Sequence, residues 1–145
     1  MTTLLLIHAA ATLLMTGVVI FVAIVHYPLF GAVGPECFPA YSAAHASRTT
    51  IVVAPLMLIE ALTGVLLLVP TIAGRDPGVL EYAGLGLLAP IWGITFLLNV
   101  PQHARLAKCF DTGIHRALLQ THALRTLLWA ARGVIVMVMI AKTGR

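Results

Sequence analysis

An all-α integral membrane protein is the fold class the sequence predicts: four transmembrane helices in an antiparallel bundle, with an interfacial helical elbow between helices 3 and 4. Three observations predict it. Hydrophobic residues make up 60% of the 145 and charged residues only 10%, where soluble domains carry about 25% charged. Mean hydropathy is +1.00. The chain falls into four apolar runs that match the ~20 residues a helix needs to cross hydrocarbon. Backbone groups in lipid must be satisfied within their own segment, so helices are expected, and no period-two alternation argues for strands. The whole length, 1–145, reads as a single integral membrane domain.

The first span is expected from Leu4 to Tyr27. Residues 1–35 hold no Asp, Glu, Lys or Arg; a signal peptide would need a basic start and a shorter apolar core. Pro28, Pro35 and Pro39 break the chain after it. The second span is expected from Tyr41 to Val69, ended by Pro70, with Gly74-Arg75-Asp76-Pro77-Gly78 as a tight turn. The third runs from Leu80 to Val100 and is ended by Pro101. Gly84, Gly86 and Gly93 would let a neighbouring helix approach it closely. Pro55 and Pro90 lie inside spans and are expected to kink them, as membrane helices tolerate. Residues 102–123 read as an interfacial elbow plus an amphipathic helix leading into helix four, interrupted at Asp111-Thr112-Gly113, and the fourth span runs from Leu124 to Ala141.

The net charge of +4 is scattered around the apolar runs. That marks membrane-flanking residues rather than a nucleic-acid surface, and there is no glycine-rich phosphate loop. Arg48, Arg105, Lys108, Arg116 and Arg125 fall on one side, and Arg75, Lys142 and Arg145 on the other. The positive-inside rule then puts the first and third connections in the cytoplasm. Cys37 and Cys109 are too few for a disulfide framework; they fall on one side, where a bridge between them stays open, and read as two unpaired thiols.

Candidate site residues follow from cost. Glu60 stands alone between Arg48 and Arg75 in an otherwise uncharged stretch. A carboxyl group in hydrocarbon costs roughly 2.5–3.5 kcal/mol on insertion scales, so it is paired or functional by default. Arg125 and Arg132 are seven apart and share a helix face with Trp129. At 1.5 Å per residue, Glu60 lies roughly 22 Å beyond His45, and Arg132 about 10 Å beyond Arg125. Those depths allow a Glu60–Arg132 pair. The pair either neutralises itself or lines a cavity in which Glu60 takes and gives a proton. His45 and Arg48 share a face and, with Arg125, would form a basic mouth for an anionic or phenolic ligand.

Four histidines, His26, His45, His103 and His122, fall at four helix ends near one membrane face. Imidazole is the commonest transition-metal ligand, and bundles build such sites from facing helices. The alternative is that these histidines face headgroups or make hydrogen bonds. Haem, a transition metal and no cofactor at all stay open. His8 and His115 are expected to have ordinary roles. Tyr27, Tyr41 and Tyr82 read as interfacial anchors, and Asn99 as a bond to a neighbouring helix.

The stretch Asn99-Val100-Pro101-Gln102-His103-Ala104-Arg105-Leu106, with Leu119 to Arg132 (LQTHALRTLLWAAR), resembles the small four-helix bacterial membrane proteins of the anthrone-oxygenase-like group. The block Val25-His26-Tyr27-Pro28-Leu29-Phe30, with Tyr41 and His45-x-x-Arg48, is similar to the N-terminal half of uncharacterised members. Where Asn-Trp would precede the Leu-Arg-Thr of helix four, this chain has His122-Ala123. Characterised members are similar to cofactor-independent oxygenases of aromatic polyketides. The resemblance therefore implies a bacterial inner-membrane oxidoreductase or oxygenase for a lipophilic aromatic or quinone-like substrate.

Expected partners are membrane lipid and a lipophilic small molecule, and no nucleic acid; a homo-oligomer or a larger membrane complex stays open. The competing reading is a non-enzymatic carrier or accessory subunit, with the glycine-rich third helix as its contact face.

Overall fold

The computed structural model describes residues 3–143. Among them every regular element is helical, and four helical stretches are long and apolar enough to cross a membrane. The first stretch is α1 (Thr3–Phe21), a π-helical turn over Val22–His26 and a 3-10 turn over Pro28–Ala32. The second is α2 (Phe38–Leu66), which stays helical through Pro55. A short α3 (Pro70–Ala73) follows, closed by Gly74 at φ 73°, a left-handed conformation that suits glycine. The third stretch is segmented into α4 (Val79–Gly86), α5 (Leu88–Gly93), a π-helical turn over Ile94–Asn99 and α6 (Val100–Leu106). The fourth is α7 (Thr112–Thr143), unbroken over 32 residues.

Three expected boundaries are corrected. The helix of the second span stops at Leu66, and Pro70 opens α3 instead of ending a longer helix. Pro101 does not end the third span; it sits in the first turn of α6, directly after the π-helical turn. The fourth helix begins at Thr112, twelve residues before Leu124. Asp111-Thr112-Gly113 is its start signal rather than a break: Asp111 Oδ1 accepts the Ile114 N–H at 2.8 Å, as an N-cap carboxylate does. A Cβ on Gly113 would stand 3.2 Å from that oxygen. Arg145, used in the charge argument, lies outside the described residues.

Pro90 acts as expected. It has no N–H to donate to the Gly86 carbonyl, and helical geometry lapses at Leu87 between α4 and α5.

The molecule is apolar outside. Leu97, Val79, Ile51 and Ile24 are each more than 70% exposed, as side chains meeting lipid would be. Its interior holds Glu60, Arg132, Arg125, His8 and His122, all buried. α1 lies against α2 and α7, and the third span lies chiefly against α7. The buried side of α7 reads Leu118, His122, Arg125, Trp129, Arg132, Val136 and Met139. Alternating steps of four and three residues keep that stripe on one face.

Three apolar clusters fill the interior. Leu5, Ala9, Leu67, Val136 and Met139 form one end. Met15, Val19, Met57, Ile91 and Trp129 form the middle. Val22, Tyr27, Phe30, Phe38, Leu106 and Leu118 form the other end.

Candidate functional site

Two π-helical turns deliver the residues of the first polar centre. Tyr27 N–H reaches the Val22 carbonyl at 2.9 Å, and Val100 N–H reaches the Thr95 carbonyl, each five residues back. In both cases a proline follows at once, Pro28 or Pro101. A proline cannot donate to the carbonyl four residues back, and its ring collides with it. Widening the turn just ahead re-registers the chain. Such turns are frequent at functional sites, and here they present His26 and Tyr27 from one span, Asn99 and His103 from another.

The resulting centre is built of imidazole and phenol rings. His26 and His45 stack with centroids 4.3 Å apart, and His103 lies 5.7 Å from His45. The Tyr27 hydroxyl is 2.7 Å from His103 Nε2, and its ring packs 4.5 Å from that of His122. The Tyr41 hydroxyl lies 3.4 Å from His26 Nε2. His122 Nε2 donates to the Val19 carbonyl at 3.1 Å, and its Nδ1 accepts from Arg125 Nη2 at 3.0 Å. Arginine can only donate, so this pairing sets the His122 tautomer with its proton on Nε2. Arg125 also donates to Thr95 Oγ1 at 3.3 Å. His115 Nε2 donates to the Tyr27 carbonyl at 2.8 Å.

A groove of about 420 Å³ opens beside this centre between α1 and α2. Val18, Phe21, Val22 and Val52 supply apolar wall; His26, Tyr41, His45 and Arg48 supply the polar groups. Arg48 is exposed and makes no ion pair among the described residues.

The second polar centre lies beyond the middle apolar layer. Arg132 Nη2 and Glu60 Oε1 form an ion pair with both side chains buried. Thr12 Oγ1 donates to Glu60 Oε1 at 3.3 Å. His8 Nδ1 lies 2.9 Å from Thr63 Oγ1, one turn along α2 from Glu60. The Arg132 guanidinium also stands 5.8 Å from the centroid of the Trp129 ring, a cation–π distance.

The pairing of Glu60 with Arg132 is thus as the sequence indicated. The expected single site is not. Met15, Val19, Met57, Ile91 and Trp129 pack between Glu60–Arg132 and the histidines. The basic mouth of His45, Arg48 and Arg125 is not assembled either: Arg125 is buried against His122 and Thr95, while Arg48 stands on the outer groove.

His26, His45, His103 and His122 do gather, linked through Tyr27. Among the described residues, however, no three His, Cys, Asp or Glu side chains are placed to hold one metal ion. Both nitrogens of His122 are already engaged, so the four-histidine ligand set does not form here. Asn99 bonds a neighbouring helix as expected, through Thr121 Oγ1 at 2.7 Å. Cys37 and Cys109 are free and exposed.

Sequence reasoning missed His8, Thr12, Thr63 and the buried Glu81. A signal existed for two of them: His8 and Thr12 are four apart on one face of an otherwise apolar helix. It also took Tyr27 and Tyr41 for membrane anchors, although both bond histidines. Compared with family models, curated proteins and solved structures, the chain matches none.

Proposed function

We propose that this chain is a small integral membrane oxidoreductase or oxygenase that admits a lipophilic aromatic or quinone-like substrate sideways from lipid. One observation carries the proposal: the stacked His26–His45 pair forms part of the wall of an otherwise largely apolar groove. A volume of about 420 Å³ falls in the usual range for small-molecule sites, roughly 300–1,000 Å³. The aromatic body would lie along Val18, Phe21 and Val52. Its phenolic or keto group would meet Tyr41, His26 and His45, with Arg48 stabilising negative charge as it develops.

The chemistry is proton abstraction by imidazole. A C–H or O–H proton of the substrate passes to His26 or His45, and dioxygen takes the electrons. For an activated methylene between two arenes, dioxygen adds to the carbanion, and loss of water from the hydroperoxide leaves a ketone. The resemblance to the anthrone-oxygenase-like group agrees with this reaction class.

In this reading the four spans form an antiparallel bundle in a bacterial inner membrane. The order of contacts supports that arrangement. Along α1, His8 and Thr12 meet Thr63 and Glu60 on α2, and Thr16 and Val19 meet Trp129 and His122 on α7, so that partners on both helices fall as α1 rises. α7 would be about 48 Å long at 1.5 Å per residue, well over the ~30 Å hydrocarbon core. Its first turns and residues 107–111 would therefore form the interfacial elbow.

Oxygen uptake by the metal-free protein with an anthrone or a hydroquinone tests the proposal. His45→Ala should lower kcat by about 10²–10⁴, the usual worth of a general base, and Arg48→Gln should raise KM. Uptake unchanged in His26→Ala, His45→Ala and the double variant would discard the groove as the reaction site. Saturable binding without turnover would make the chain a carrier.

A further inference from the structure

The Glu60–Arg132 centre opens toward one face of the molecule. A cavity of about 10 Å³ lies beside it, walled by His8, Gly64, Glu81, Gly84 and Arg132 among others. That is near the volume one water molecule occupies, about 10–15 Å³ by the same measure. Beyond it lies an open vestibule of about 420 Å³ that includes Arg75, Glu81 and Lys142. The two spaces share Leu67, Leu80, Glu81 and Met139, so Glu81 is the one ionisable group lining both.

The polar atoms around the inner cavity are incompletely bonded. Arg132 is 2% exposed, yet its Nε and Nη1 have no hydrogen-bond partner among the described residues, and neither has Glu60 Oε2. Buried donors and acceptors of this kind are costly to leave unpaired and are ordinarily satisfied by protein or ordered water. Glu81 is itself buried, with Oε1 on Arg75 and Oε2 accepting the Gly78 N–H at 2.8 Å. Two glycines help keep the wall back. A Cβ on Gly64 would stand 3.4 Å from His8 Cε1, and one on Gly84 would stand 3.7 Å from Ile135.

We propose that the inner cavity binds a water molecule, and that vestibule, Glu81 and cavity form a one-sided access path by which water and protons reach Arg132 and Glu60. The titratable groups lining this path are His8 on α1, Glu81 on α4 with Arg75 before it, and Arg132 and Lys142 on α7; Glu60 on α2 stands behind Arg132 as its ion-pair partner. The path ends at Trp129, Met15, Met57 and Ile91, whose packing keeps it from the histidine centre. It does not depend on the groove or on any turnover there.

The test uses the full chain in lipid nanodiscs, with ¹⁵N-labelled arginine, histidine and tryptophan, and magnetisation transfer from water read by solid-state NMR. Water signal should reach the Arg132 guanidinium and the His8 imidazole quickly, and the Trp129 indole slowly or not at all. Leu80→Phe and Gly84→Leu should each narrow the path and abolish transfer to Arg132 and His8, leaving transfer to His103 as in the parent protein. No transfer to Arg132 in the unmodified protein would overturn the proposal, and so would equal transfer to Arg132 and Trp129. Undiminished transfer in the folded variants would overturn it too.

Discussion

Arg132 shows how a charge is kept inside an apolar helix bundle. It is buried, paired with Glu60 and set against the Trp129 ring. Removing one partner strands the other. Arg132→Met should cost roughly 3–5 kcal/mol, while Glu60→Leu with Arg132→Met should recover most of that loss. Unfolding of the purified protein in mixed detergent measures both; a double variant as unstable as the single one would contradict this account. Tyr27 poses a smaller case. Its hydroxyl meets His103 Nε2, and His103 Nδ1 is buried without a partner among the described residues. Tyr27→Phe should cost about 0.5–1.5 kcal/mol, the net worth of one hydrogen bond, read in the same unfolding assay. The pair Glu60–Arg132 was legible because an isolated carboxyl in hydrocarbon demands a cation at matching depth. The partner of His8 was not, because Thr63 is 55 residues away and nothing local names it.

The elements are governed by how each helix starts and where it changes register. α7 starts twelve residues before its apolar run because Asp111 caps it. Asp111→Ala should cost about 0.5–2 kcal/mol and speed amide exchange at Ile114 while residues past Leu118 stay protected. Exchange unchanged at Ile114 would show that the carboxylate does not hold the first turn. In sequence, Asp-Thr-Gly is as good a loop as a cap, and only the helix that follows decides. The π-helical turns were hidden for a related reason. Pro28 and Pro101 announce that a hydrogen bond is missing, but the chain could end, kink or widen in response. Here it widens, and that choice turns His26, Tyr27 and Asn99 toward the interior.

At the scale of the whole molecule, polar and apolar layers alternate along the bundle. The histidine–tyrosine centre meets a lateral groove, and the Glu60–Arg132 centre meets a vestibule. Ala44 lies exposed on the groove, on α2 beside His45. Ala44→Trp should fill the groove and abolish binding of a hydrophobic phenol, with thermal stability preserved because the new ring displaces only lipid. A calorimetric or fluorescence titration with unchanged affinity would place the ligand elsewhere. The sequence by itself determined that the chain is helical, that four stretches are long and apolar enough to cross a membrane, and that the charges inside those stretches turn inward, because hydrocarbon penalises both open backbone groups and bare charge. Only the tertiary structure decided that those inward groups form two centres rather than one. Met15, Val19, Met57, Ile91 and Trp129 come from four different spans; which of them meet depends on how the helices slide and rotate against one another, and spacing within a single helix carries no record of that.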